Sequence, residues 1–292
     1  MRFINMIRWT SVVCSVPKTM IIRHSSNLSS FKESLQAAKN VVIISGHDIS
    51  SESGLPTYDT KGHWRKYQAS SLATSGAFLT FPSLVWEFYH HRREIATQAQ
   101  PNEAHKAIAQ FEEKYGSEKS ITVITQSIDG LHSRAGTKKL IELHGSLFKT
   151  RCIRCNDVLT NHDSPICEVL ANKGSPNVQD THSDIPEDLL PHCQKPNCSG
   201  LLRPHIVWFG ETLESSVAEK AEKAMSTCEV CLLVGSAASM FPGAIYASDA
   251  IKNGAIVAEF NTSPTENVEL HYFFDGPCSK TVSEALDLER IA

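Results

Sequence analysis

Four short apolar runs constrain the fold of this chain more than any other feature. VVIIS (41–45), ITVIT (121–125), CLLVG (231–235) and AIVAEFN (255–261) each lead into a turn of small or polar residues. Helical patterns separate them: SFKESLQAAKN, amphipathic with a serine cap, and NEAHKAIAQFEEKYG, which should stop at Gly116. Strands alternating with helices predict an α/β fold, a Rossmann-like parallel sheet with helices on both faces. Such sheets bind ligands beyond the carboxyl ends of their strands, so the turns after Ser45, Thr125, Val234 and Phe260 are where chemistry is expected. A net charge of −4 predicts no broad basic surface, hence no nucleic-acid partner, and no apolar run reaches membrane-spanning length.

Two stretches break the rhythm. Residues 57–105 hold GHWRKYQ and PSLVWEFYHHRRE and predict a helical insertion into a Rossmann-like domain of residues 33–149 and 203–292. Residues 150–202 are rich in Cys, Pro, Asn and Asp and poor in apolar runs, so something other than a core must fold them. Cys152 and Cys155 are spaced C-x2-C, and Cys193 and Cys198 are spaced C-x4-C. Four thiolates on two knuckles predict one structural zinc ion in a closed shell with no open position for water. Cys167, His162, His182 and His192 are weaker ligand candidates, and Cys228 with Cys231 reads as core. Residues 1–32 carry Arg2, Arg8, Lys18, Arg23 and Lys32, are serine-rich and have no acidic residue, the composition of a mitochondrial transit peptide. A reducing compartment is therefore expected, with the cysteines free of disulfides.

ISSESGLPTY, ITQSIDGLH, IELHGSLF, RPHIVWFGE, VGSAAS and EFNT, in this order around the cysteine segment, resemble the sirtuins, the NAD-dependent protein-lysine deacylases, from about residue 35 to 285. The resemblance implies NAD and acyl-lysine meeting between a Rossmann-like domain and a zinc module. It implies His144 as general base. NAD would lie against Gly46, Ile49, Ser50, Gln126, Ser127, Ile128, Asp129, Gly235, Ser236, Ala237, Asn261 and Cys278. The amide oxygen of the acyl-lysine would attack NAD, nicotinamide would leave, and the histidine would activate a ribose hydroxyl to capture the acyl group. Val207, Trp208, Phe209, Gly210 and Glu211 would pair with the substrate backbone as an added strand. LAT, WEFYHHRRE and GSLFKTRC look like the class III branch, which prefers malonyl, succinyl and glutaryl groups. In that branch the residues here numbered Ala73, Tyr89 and Arg92 form the acyl pocket, and Tyr89 and Arg92, three apart, share a helix face. The implied partners are acylated lysines of other proteins, the implied location the mitochondrial matrix with the cytosol as a second site, and the expected state a monomer.

The chain departs from the family on the NAD side. Gly46-His47-Asp48-Ile49-Ser50 stands where sirtuins carry Gly-Ala-Gly-Ile-Ser, and Tyr58-Asp59 stands for Phe-Arg. Ser127 replaces Asn, and Ser236-Ala237 replaces Thr-Ser. Each added negative charge near a pyrophosphate costs about 3 kcal/mol before screening. A catalytically impaired sirtuin that binds acidic acyl-lysine without efficient NAD turnover is therefore the alternative expectation.

Overall fold

The computed structural model describes residues 27–56, 62–177, 179, 184–238, 241–265, 268 and 270–289. Residues 1–26 of the predicted transit peptide, together with Tyr58, Asp59 and His182, lie outside the described residues. Helix α1 (Leu28–Ala37) is capped by Asn27, whose Oδ1 accepts a bond from Ser30 N at 3.0 Å, and not by the expected serine. Phe31 on this helix is fully buried, edge-on to Phe260 and Phe274. Residues 28–32, inside the segment read as a transit peptide, thus form the start of α1 and place Phe31 in the core.

Strand β1 (Asn40–Ser45) and the single-turn helix α2 (Asp48–Ser51) follow. The predicted insertion holds the hairpin β2 (His63–Trp64) and β3 (Tyr67–Gln68) and helices α3 (Ala69–Leu72), α4 (Ser75–Thr80) and α5 (Pro82–Gln98). Then come α6 (Glu103–Tyr115), β4 (Ser120–Thr125), α7 (Leu131–Ala135) and β5 (Leu140–Glu142). The cysteine segment is framed by β6 (Gly145–Cys152), β7 (Val158–Thr160) and β8 (Leu202–Ile206). The chain closes with α8 (Ser215–Ser226), β9 (Val230–Val234), α9 (Gly243–Lys252), β10 (Ile256–Asn261), β11 (Tyr272–Asp275) and α10 (Cys278–Leu286).

Six strands form one parallel sheet in the order β11-β10-β9-β1-β4-β5. Alternation along the strands sorts the core into two layers: Val41, Ile43 and Val123 face Phe31, Ile108 and Val282 of α1, α6 and α10, while Val42, Ile44 and Leu233 face Ala221, Met225 and Ala247 of α8 and α9. The direction of strand succession reverses between β1 and β9, so their carboxyl ends form the switch point where such sheets bind ligands. Cys228 and Cys231 are buried free thiols in one layer.

The second sheet is antiparallel, in the order β7-β6-β8. Its residues do not lack a core. Leu170, Leu190 and Leu201 join Trp64, Trp86, Phe88 and Tyr89 in a third apolar cluster, so the insertion and the cysteine segment fold as one body. Arg93 of α5 fastens them, donating to Asn161 Oδ1 at 2.9 Å, to Asp163 O at 3.0 Å and to Leu147 O. A buried pair, Arg65 with Glu87 at 2.8 Å, ties the hairpin to α5.

Candidate active site

Where β1 and β9 end, two glycines allow the turns to touch. A Cβ on Gly46 would lie 2.2 Å from Gly235 O, and one on Gly235, held at φ +61°, would lie 2.5 Å from Ile49 N. Ser127 Oγ donates to Gly46 O at 3.0 Å, and Ser50 Oγ donates to Asp129 Oδ2 at 2.5 Å. Leu131 N donates to Asp129 Oδ1 at 2.9 Å, and burial raises the Asp129 carboxyl above its ordinary value. Beneath this turn Ser45 Oγ donates to Thr125 Oγ1 at 2.9 Å and lies 2.8 Å from His132 Nε2.

The departures have local partners. Asp48 Oδ2 accepts from Ser236 Oγ, and Asp48 Oδ1 lies 3.3 Å from His47 Nε2, so the carboxylate faces the Gly235-Ser236 turn. Asn261 Nδ2 reaches the same Ser236 hydroxyl at 3.4 Å. Ala237 is buried, and Cys278 is packed at the start of α10, its thiol bonded to Phe260 O at 3.5 Å. Burial, with Glu52 and Asp48 nearby, pushes that thiol up to about 12. Glu52 accepts from the Cys278 and Ser279 N–H groups at 2.6 and 3.0 Å, so the α10 N-terminus is already served.

A cleft with a cavity volume of about 420 Å³ runs between the two sheets and carries His47, Ser50, Gln126, Ser127, Ile128 and Asp129 on one side. His144, Ala73, Tyr89, Arg92 and residues 207–211 line the other. His144 stands just before β6, its Nδ1 3.2 Å from Gln126 O, and burial lowers its pKa from the ordinary 6.5. Tyr89 and Arg92 project from α5, the Arg92 guanidinium 5.7 Å from the Tyr89 ring centre. Burial raises the Tyr89 phenol, which stays neutral.

The stretch predicted to add a substrate strand follows directly on β8. β8 ends at Ile206, and the N–H groups of Val207, Phe209 and Glu211 donate to His144 O, Ala73 O and Trp208 O. Trp208 N donates to Glu211 Oε2 at 2.9 Å. Four of the five N–H donors are used within the chain, so a bound peptide is left with the carbonyls or with Gly210.

Sequence reasoning gave no role to Arg203, which donates to both oxygens of Glu211 at 2.5 and 3.0 Å and lies 3.5 Å from the Trp208 ring centre. RPHIVWFGE contains both partners, but a pair eight residues apart across a strand end has no periodicity to reveal it. Phe241, also on the cleft, was missed as well.

Sγ atoms of Cys152, Cys155, Cys193 and Cys198 lie within 4.8 Å of one another, with Cys152 to Cys198 at 3.6 Å and Cys155 to Cys193 at 3.8 Å. Zinc–sulfur bonds of about 2.3 Å give a tetrahedron with edges of roughly 3.8 Å, so the donor set fits one zinc ion. His162 instead stacks on Phe148, and His192 Nδ1 bonds Leu190 O at 2.7 Å.

A Rossmann-like sheet, a small sheet carrying a four-cysteine cluster and a histidine cleft between them define a class of nucleotide-using protein. The Sir2 family model matches residues 46–242. An NAD-dependent protein deacylase of Daphnia pulex is 48% identical over 267 residues, covering 90% of this chain and 97% of its own. The mitochondrial NAD-dependent protein deacylase sirtuin-5 of Danio rerio is 48% identical over 268 residues, covering 91% and 88%. A solved Sir2 homolog–NAD complex superposes with a TM-score of 0.78 at 31% identity, covering 92% of this chain and 97% of its own. The chain belongs to the Sir2 family, and its sirtuin-5 relatives place it in the class III branch.

Proposed function

We propose that this chain is an NAD-dependent protein-lysine deacylase that removes malonyl, succinyl and glutaryl groups, releasing nicotinamide and O-acyl-ADP-ribose. One observation carries the reading: Tyr89 and Arg92 share a cleft with His144, so a cationic terminus-binding pair and a neutral base line one cavity. Bound NAD would supply an electrophilic carbon whose leaving group is nicotinamide. Gly46, Ile49, Ser50, Gln126, Ser127, Ile128 and Asp129 would hold it from the β1 and β4 ends, and Gly235, Ser236, Ala237, Asn261 and Cys278 from the β9 and β10 ends. The close-set glycine turns support that fit, since they let the β1 and β9 ends pack against each other at the switch point of the sheet.

The chain's own groups then have defined tasks. With its proton on Nδ1 toward the Gln126 carbonyl, His144 would take a hydroxyl proton at Nε2. Arg92 binds the acyl carboxylate as a charge-assisted pair and Tyr89 adds a hydrogen bond. Ala73 leaves room for the longer acyl chain. Zinc would hold the small sheet and, through the shared core, the α5 wall of the pocket.

Matrix localisation is supported by the basic, acid-free leader and by the mitochondrial names of the sirtuin-5 relatives. The alternative, an impaired enzyme that only binds acidic acyl-lysine, is favoured by the Asp48 carboxylate at the nucleotide turn. Mass spectrometry of a succinyl-lysine peptide incubated with NAD separates the two. Transfer of the succinyl group to ADP-ribose, lost in His144→Ala, supports the enzyme; tight peptide binding with no transfer supports the alternative.

A further inference from the structure

On the acyl side of the cleft, Trp208 aims its polar group at a pocket side chain rather than at solvent. Its indole Nε1 donates to Tyr89 Oη at 2.8 Å, and both side chains are buried. An indole N–H only donates, whereas a phenol both accepts and donates. The bond therefore occupies Tyr89 as an acceptor and leaves its proton for another partner. Trp208 is itself held from behind. Its backbone N–H donates to Glu211, its ring stacks under the Arg203 guanidinium, and Arg203 and Ser75 both donate to Glu211. Burial alone would raise the Glu211 carboxyl, but the bonds from Arg203 and Ser75 hold it down at about 2, so the clamp stays charged through the physiological range.

We propose that Trp208, fixed by the Arg203–Glu211–Ser75 clamp, is a positioning residue that makes Tyr89 an obligate donor into the acyl pocket and so helps set the preference for carboxylate-ended acyl groups. The inference rests on the acidic-acyl reading of the same cleft. A carboxylate terminus satisfies the directed hydroxyl. A methyl terminus leaves it desolvated and unpaired, the asymmetry by which polar sites reject analogues lacking a partner. Without the indole N–H, the phenol could turn to accept or donate and would lose that bias.

The test replaces Trp208 with benzothienylalanine, in which sulfur stands for the indole N–H and ring shape is kept, with Trp208→Phe as a second variant. Calorimetry gives the ratio of acetyl-lysine to succinyl-lysine peptide Kd for each. The expected result is a fall of about tenfold in that ratio for the sulfur isostere, the loss of one directed hydrogen bond. In a Tyr89→Phe background the isostere should change the ratio less than about twofold, because the two groups act as one. A packing role alone would not respond to the isostere, so an unchanged ratio overturns the proposal. An equal fall with and without Tyr89 also overturns it. If Tyr89→Phe and Arg92→Met both leave the natural ratio unchanged, the acidic-acyl reading itself is what fails.

Discussion

His144 Nδ1 lies 3.2 Å from the carbonyl oxygen of Gln126, and a carbonyl can only accept. A proton on Nδ1 satisfies that carbonyl and leaves the lone pair on Nε2, the arrangement a general base requires. Burial lowers the His144 pKa below 6.5. Below that depressed pKa the ring is protonated and cannot accept a proton, so kcat/KM should fall as pH drops through a limb lying under 6.5 and be level from there to neutrality. A pH–rate profile checks this; an acid limb centred above 6.5 would contradict it.

His105 and His132 pack ring to ring at 4.7 Å beneath the nucleotide turn, both buried. Burial drives His105 to about 4 and His132 well below 6.5. The unfolded chain takes up protons near 6.5 and the folded chain does not, so their contribution to stability is complete above 6.5 and is lost as pH falls from 6.5 towards 4. For His105 alone the loss is about 3 kcal/mol. Urea midpoints should therefore drop steeply over this window, and His105→Leu should flatten the slope.

Gly46→Ala should disable the nucleotide turn. The added methyl would meet Gly235 O at 2.2 Å and Ala237 N at 2.7 Å, both backbone atoms that cannot rotate aside. Overpacking of this kind costs about 3 kcal/mol. NAD binding by calorimetry should fall below detection while succinyl-lysine peptide binding survives; intact NAD affinity would remove the turn from the cofactor site.

Cys193→Ser should release zinc and loosen more than the cysteine segment. Leu170, Leu190 and Leu201 share a core with Tyr89, so succinyl-lysine binding should weaken along with the melting temperature. Atomic absorption and a thermal melt check both. A full equivalent of retained zinc would refute the four-cysteine shell.

The four central strands were legible in the sequence because parallel strands buried on both faces are continuous apolar runs, and the α6 stop at Gly116 followed from its periodicity. Edge strands β5 and β11 span only three and four residues and carry no such run; pairing to β4 and β10 makes them strands. The cysteine cluster was legible because its spacing is local. The core beneath it was not, since Leu170, Leu190 and Leu201 lie in apolar pairs too short to mark an element, and their partners lie about a hundred residues earlier. Likewise Tyr89 and Arg92 were visible as a helical i, i+3 pair, but the Trp208 bond that orients Tyr89 joins residues 119 apart.

The central claim is a His144-dependent deacylase selective for acidic acyl groups, and one measurement tests it most directly: nicotinamide release by the natural chain from two peptides identical except for succinyl- or acetyl-lysine, repeated with Arg92→Met and His144→Ala. The account predicts a kcat/KM for succinyl-lysine at least about tenfold above acetyl-lysine, the worth of one charge-assisted hydrogen bond, with the gap closed by Arg92→Met and all release abolished by His144→Ala. No release from either peptide, or equal release from both by the natural chain, would contradict it.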